Sequence, residues 1–226
     1  MLQTQLGSLT LDSPLLTASG TFGHDPAALD FLQAGDLGAL VLKTVTPQPR
    51  HGNAPPRMCE FPGGVMNSIG LENKGLDYWR RKVAPQLEQV LVPVVANAGG
   101  HSAPEYGQMV EAFDQMAGVA AIELNLSCPN VEGGIQFSTD PVGLAEVVAQ
   151  CRLLTQKPLW VKLSPNVGSI APLAQAAEQA GADALTVCNT LMGLMVDWRS
   201  RTPRLGNGCG GMSGPTVRPL ATRLVW

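Results

Sequence analysis

The chain has 226 residues, a formal net charge of −3, 45% hydrophobic and 15% charged residues. That balance fits a soluble globular protein with a sizeable core, and the lack of a long basic run argues against a nucleic-acid partner. No secretory leader or uninterrupted apolar run of membrane-spanning length is present, so no membrane association and a cytoplasmic location are expected.

The five cysteines (Cys59, Cys128, Cys151, Cys188, Cys209) are odd in number and scattered singly. Without a C-x-x-C pair they argue against a disulfide framework, a zinc ribbon or an iron–sulfur cluster held by this chain. His24, His51 and His101 form no ligand-spaced pattern, so no metal site is expected.

Taken in order, residues 2–6 and 9–11 alternate around Gly7-Ser8 and predict a hairpin that covers the bottom of something larger. Residues 15–18 predict a first buried strand, followed by a helix over 26–34 with Asp25 as N-cap. Residues 40–42 predict a strand ending at Lys43-Thr44. Residues 47–75, rich in Pro, Gly and Asn, predict a long irregular insertion holding Asn67, Ser68, Ile69, Gly70 and Leu71. Loops of this length are often functional, although its composition equally suits a surface excursion. A helix over 76–89, a strand over 92–96 ending in Asn97, and a helix over 104–116 follow.

Residues 122–126 alternate as a strand that runs into Ser127, Cys128, Pro129 and Asn130, where Pro129 ends the ladder. Cys128 therefore lies just past a strand end, as either a small buried hydrophobe or a reactive thiol. After the flexible Gly133-Gly134 segment, a helix over 141–155 capped by Asp140 is expected. Then come a strand over 159–163 carrying Lys162, a helix over 170–180 ended by Gly181, and a strand over 184–188 ending at Asn189-Thr190. An irregular stretch to Ser213 and a helix opened by Gly214-Pro215 complete the chain.

Strand–helix alternation with apolar strands predicts α/β architecture with a parallel sheet. About six βα units are visible where a (β/α)₈ TIM barrel needs eight in roughly 250 residues. The expectation is one domain over 1–226, a barrel lacking about its last two units. Ser19, Lys43, Asn97, Asn125, Cys128, Lys162, Asn189 and Thr190 all fall at strand C-termini, which in a barrel share one mouth. No carboxylate pair suggests glycoside chemistry. A thiol, two lysines and several amides suit proton abstraction beside a carbonyl, coupled to a redox cofactor.

Six motifs in fixed order carry a resemblance: Ala18-Ser19-Gly20-Thr21-Phe22-Gly23, Val41-Leu42-Lys43-Thr44-Val45-Thr46, Asn67-Ser68-Ile69-Gly70-Leu71-Glu72-Asn73, Asn125-Leu126-Ser127-Cys128-Pro129-Asn130, Val161-Lys162-Leu163-Ser164-Pro165-Asn166 and Asn189-Thr190-Leu191-Met192-Gly193. Over essentially the whole chain the sequence resembles the soluble dihydroorotate dehydrogenases. Its 131–141 loop looks more like the class 1B catalytic subunit than the class 1A enzyme.

The resemblance implies an FMN enzyme that oxidises dihydroorotate to orotate in pyrimidine synthesis, with Cys128 as the base at C5. It implies that Lys43 and Asn125 touch both cofactor and substrate. Ser19, Thr44, Asn97, Lys162, Cys188 and Gly214 would line the flavin. Asn67, Ser68, Ile69, Gly70, Leu71, Asn189 and Thr190 would hold the substrate. It also implies a partner subunit carrying FAD and a 2Fe–2S iron–sulfur cluster, NAD as final acceptor, and a homodimer of barrels within a heterotetramer. The Gly-rich phosphate loops that the family carries after its last two strands are not in this sequence, so poor FMN binding and a tendency to aggregate are expected. A related flavin barrel acting on another dihydropyrimidine, and a non-catalytic fragment, are the competing readings.

Overall fold

The computed structural model describes residues 2–23, 35–127 and 137–226. The predicted helix over 26–34, with Asp25, and the turn from Cys128 to the Gly133-Gly134 segment lie outside the described residues.

The hairpin is formed by β1 (Thr4–Leu6) and β2 (Leu9–Leu11), paired Thr4 to Leu11. The main sheet is parallel. Its strands are β3 (Leu40–Val41), β6 (Val94–Ala98), β7 (Ala121–Asn125), β8 (Leu159–Lys162) and β9 (Ala184–Thr186), adjacent in that order. Register pairs Val41 with Val95, Asn97 with Glu123, Asn125 with Lys162, and Lys162 with Thr186. The expected strand over 15–18 is reduced to one parallel bridge, Leu16 to Ala39, and Leu15 is exposed. Even so, that bridge adds a sixth position beside β3.

Alternation along the strands sorts residues onto two faces. Leu40, Leu42, Ala96, Ile122, Leu124, Leu159 and Val161 join the core packed under the helices. Val41, Val95, Ala121 and Trp160 face the other way and cluster with Leu11, with Leu6 and Leu9 packed alongside. The hairpin thus covers the N-terminal half of the inner face, as expected from its sequence, and leaves the C-terminal half to polar side chains.

The helices follow their capping signals. The predicted 76–89 helix is one run of α1 (Gly75–Tyr78), a π-helical segment (Trp79–Val83) and α2 (Ala84–Leu87). The rings of Trp79 and Phe113, the latter on α3 (Ala103–Asp114), pack at a 59° tilt with centroids 4.9 Å apart. Ser102 caps α3 by accepting from Glu105 N, while the Glu105 carboxylate accepts from His101 N, a close variant of the capping box. Asp140 caps α4 (Pro141–Arg152) through Val142 N and Gly143 N at 3.1 Å each. Gly181, at φ +102°, follows the end of α5 (Ala171–Gln179).

Two segments expected to be irregular are ordered into a second sheet. The 47–75 insertion contains the hairpin of β4 (Met58–Phe61) and β5 (Gly64–Asn67). The stretch before Ser213 contains β10 (Leu191–Leu194), the short ribbon of β11 (Val196–Asp197) and β12 (Thr202–Pro203), and β13 (Cys209–Ser213). Strands β10, β13, β5 and β4 form an antiparallel sheet in that order. A 3₁₀ turn (Pro215–Val217) leads into α6 (Arg218–Val225).

Candidate active site

The parallel sheet curls, and three side-chain hydrogen bonds show it. Asn125 on β7 donates from Nδ2 to Thr44 Oγ1 beyond β3 at 3.3 Å, passing over β6. Thr186 on β9 donates to Glu123 Oε2 on β7, and Asn189 donates to Ser127 Oγ, both passing over β8. In a flat sheet such next-nearest strands stand roughly 9–10 Å apart. On a concave face their side chains converge.

The rim of that concavity is one hydrogen-bonded chain. Ser19 Oγ lies 3.2 Å from Thr44 Oγ1, and Thr44 accepts from Asn125. The Asn125 Oδ1 accepts from Ser127 Oγ at 2.5 Å, Ser127 Oγ accepts from Asn189 Nδ2, and Asn189 Oδ1 accepts from Thr190 N at 2.8 Å. From α3, Tyr106 donates to the Asn125 carbonyl at 2.8 Å. Both asparagine amides are therefore oriented by partners on each side, which makes the rim rigid before any ligand arrives.

Below the rim lies a buried polar pair. Asn97, fully buried, donates from Nδ2 to Glu123 Oε1 at 2.5 Å. Asn97 Oδ1 is buried with no partner among the described residues. An acceptor left in that state costs about 1–3 kcal/mol, a cost that a donor on a bound group would relieve.

Two cations complete the concavity. Lys162 is 7% exposed, and neither it nor Lys43 is in an ion pair among the described residues. Burial lowers the pKa of Lys43, with the Glu72 carboxylate pulling it back up and Arg57 pushing it down. The thiol of Cys188 is pushed up by burial and drawn back by the charge of Lys162.

The predicted 67–71 loop is braced from outside. Ser68 N donates to the Arg57 carbonyl, Asn53 Nδ2 donates to Ser68 Oγ at 2.8 Å, and Asn53 N donates to the Ile69 carbonyl at 3.0 Å. Gly70 has φ +75°, and Leu71 follows with φ +55°. Arg57 is fixed in turn by the Asn53 and His51 carbonyls and by Glu72. The buried Asn73 ties the loop to the mouth by donating to Thr46 Oγ1 at 2.8 Å. Asn67 pairs with Gly211, where an added Cβ would run into Thr190 Oγ1. This packing brings the loop beside Asn189-Thr190.

Ser19, Lys43, Thr44, Asn97, Asn125, Lys162, Cys188, Asn189 and Thr190 are thus held at one end of the sheet, with Asn67 and its loop alongside. Cys128 lies outside the described residues. Gly214 has a packing reason of its own, since at φ +108° it abuts Gly64, whose Cα would be 2.8 Å from an added Cβ. Glu123, Ser127, Thr186 and the Thr46–Asn73 pair were not among the expected site residues. Glu123 alternates with apolar residues as a solvent-facing position would, and only the burial of all five β7 residues shows that it belongs to the inner face.

Comparison with known proteins places the chain. The dihydroorotate dehydrogenase family profile matches residues 1–226. The dihydroorotate dehydrogenase B (NAD(+)) catalytic subunit of Trichlorobacter lovleyi is 48% identical over 226 residues, 100% of this chain and 74% of the relative. The subunit of the same name from Desulforudis audaxviator is 48% identical over 222 residues, 98% of this chain and 72% of the relative. That of Geobacillus kaustophilus is 46% identical, over 100% of this chain and 72% of the relative.

Proposed function

This chain belongs to the dihydroorotate dehydrogenase family, and from that premise we propose that it oxidises (S)-dihydroorotate to orotate in pyrimidine synthesis. FMN would accept the electrons, and an FAD- and iron–sulfur-containing partner subunit would pass them on to NAD. The curled sheet is then an arc of a (β/α)₈ barrel, with the rim at its catalytic mouth.

The observation that carries this reading is the pair of lysines without carboxylate partners beside an amide-lined rim. Such a site suits planar, polar, anionic ligands, and orotate is one. The flavin also fits the residues present: Asn97 Oδ1 lacks a donor, and Lys162 lacks a counter-anion among the described residues. In this assignment Ser19, Thr44, Asn97, Lys162, Cys188 and Gly214 hold the flavin, and Lys43 and Asn125 serve both ligands. Residues 67–71 with Asn189 and Thr190 hold the pyrimidine ring and its carboxylate. When bound, FMN would supply a two-electron acceptor for the hydride from C6. Cys128 takes the C5 proton as the C5–C6 double bond forms. The rim chain keeps the Asn125 and Asn189 amides oriented, so substrate meets a preformed donor–acceptor pattern.

The test is the visible spectrum of the chain loaded with FMN, recorded anaerobically before and after dihydroorotate. Bleaching of the flavin band with dihydroorotate, but not with the carboxylate-free dihydrouracil, is expected. Equal bleaching by dihydrouracil would move the substrate to another dihydropyrimidine, and failure to bind FMN would support the non-catalytic reading.

A further inference from the structure

The geometry assigns Glu123 as a positioning residue that turns Asn97 into an obligate hydrogen-bond acceptor for a ring N–H of the bound ligand. It rests on the proposed function, in which Asn97 faces a flavin or a pyrimidine.

Glu123 is 2% exposed and forms no ion pair among the described residues. A carboxyl group buried without a cation is costly unless its oxygens are satisfied. Here both are: Oε1 accepts from Asn97 Nδ2 and Oε2 accepts from Thr186 Oγ1. With Oε1 accepting, the carboxyl fixes the amide flip. Asn97 must turn its NH₂ toward Glu123 and therefore its Oδ1 away. That oxygen has no partner among the described residues, so the site presents an oriented, unsatisfied acceptor. A planar cyclic imide or ureide supplies the matching N–H. Two ligands of the proposed function carry one: the pyrimidine portion of the flavin, at N3, and the dihydropyrimidine substrate. Thr186 would be the second support, holding the carboxyl plane across β8.

The experiment uses the full chain and methylated ligands. FMN and N3-methyl-FMN are titrated by flavin fluorescence, and orotate and its N1- and N3-methyl derivatives by calorimetry. Wild type should bind one parent compound about tenfold or more tightly than its N-methyl derivative, and which compound does so identifies the source of the N–H. In Glu123→Gln the new carboxamide can donate to Asn97 Oδ1, so the amide no longer has one orientation, and the preference should shrink to about threefold or less. Thr186→Val should give an intermediate loss.

A wild-type chain that binds the parent compounds but discriminates against no N-methyl derivative overturns the inference while leaving the proposed function standing. So does a folded Glu123→Gln with the wild-type preference. A wild-type chain that binds neither FMN nor orotate overturns both. Should Glu123→Gln fail to give a cooperative melt, the wild-type comparison and Thr186→Val decide the matter.

Discussion

Lys43 shows how one side chain can trade stability for binding. Its ammonium group is half-buried and lacks an ion-pair partner among the described residues, and burial lowers its pKa from the ordinary lysine value of 10.5. Between the lowered folded value and 10.5, the unfolded chain binds more protons than the folded one, so stability rises with pH through that window. Below it, the folded protein carries the full cost of the desolvated charge. Lys43→Met removes this charge. The variant should melt no lower than wild type at neutral pH, any advantage should shrink as pH approaches 10.5, and its affinity for orotate should fall by about tenfold or more. Thermal melts across pH and orotate titrations check both halves. The position of Lys43 at a strand end was legible in the sequence. The role of Glu123 was not, because a polar residue alternating with apolar ones reads as a solvent-facing position. Only burial on both faces of a parallel sheet turns it inward.

At the scale of elements, the signals that proved readable were those with a local cause. Asp140 before Pro141 announces a helix start, and its carboxylate indeed accepts from Val142 N and Gly143 N. Asp140→Ala should therefore cost about 0.5–2 kcal/mol, lowering the melting temperature by roughly 1–8 °C for a chain of this size, while Asp140→Ser should recover most of the loss. The parallel strands were legible for the same kind of reason, as apolar runs ending in polar residues. Strands β5, β10 and β13 were not, because glycine argues against strand by propensity. In this fold glycine answers to close approach instead: an added Cβ on Gly210 would lie 2.5 Å from the Asn67 carbonyl, and one on Gly64 would lie 2.2 Å from that of Ser213. Apart from the β4–β5 hairpin, the partners across those strands are distant in sequence, Asn67 against Gly211 for example, so no local pattern could announce the sheet.

Across the whole molecule, function and stability divide by face and by height along the sheet. The helix-facing side of β3, β6, β7 and β8 is apolar core, whereas the inner side changes from Val95, Ala121 and Trp160 at the bottom to Asn97, Glu123, Asn125 and Lys162 toward the C-terminal ends. Curvature makes this division useful, since it draws side chains from alternate strands into one rim. Neighbouring residues of β7 provide a direct test. Leu124 is fully buried under the helices, and Asn125, one residue on, faces the rim. Leu124→Ala removes buried methyl groups at a cost of about 2–5 kcal/mol, or roughly 4–20 °C in melting temperature. Measured well below that melt, its affinity for orotate should match wild type. Asn125→Ala should do the reverse. The loss of its bonds to Thr44 and Ser127 should weaken orotate at least about tenfold, with a smaller change in the melt. Paired melts and titrations of the two variants decide it: equal losses of affinity would mean that the rim and the core are not separable, and that the curled sheet responds as one body to damage on either face.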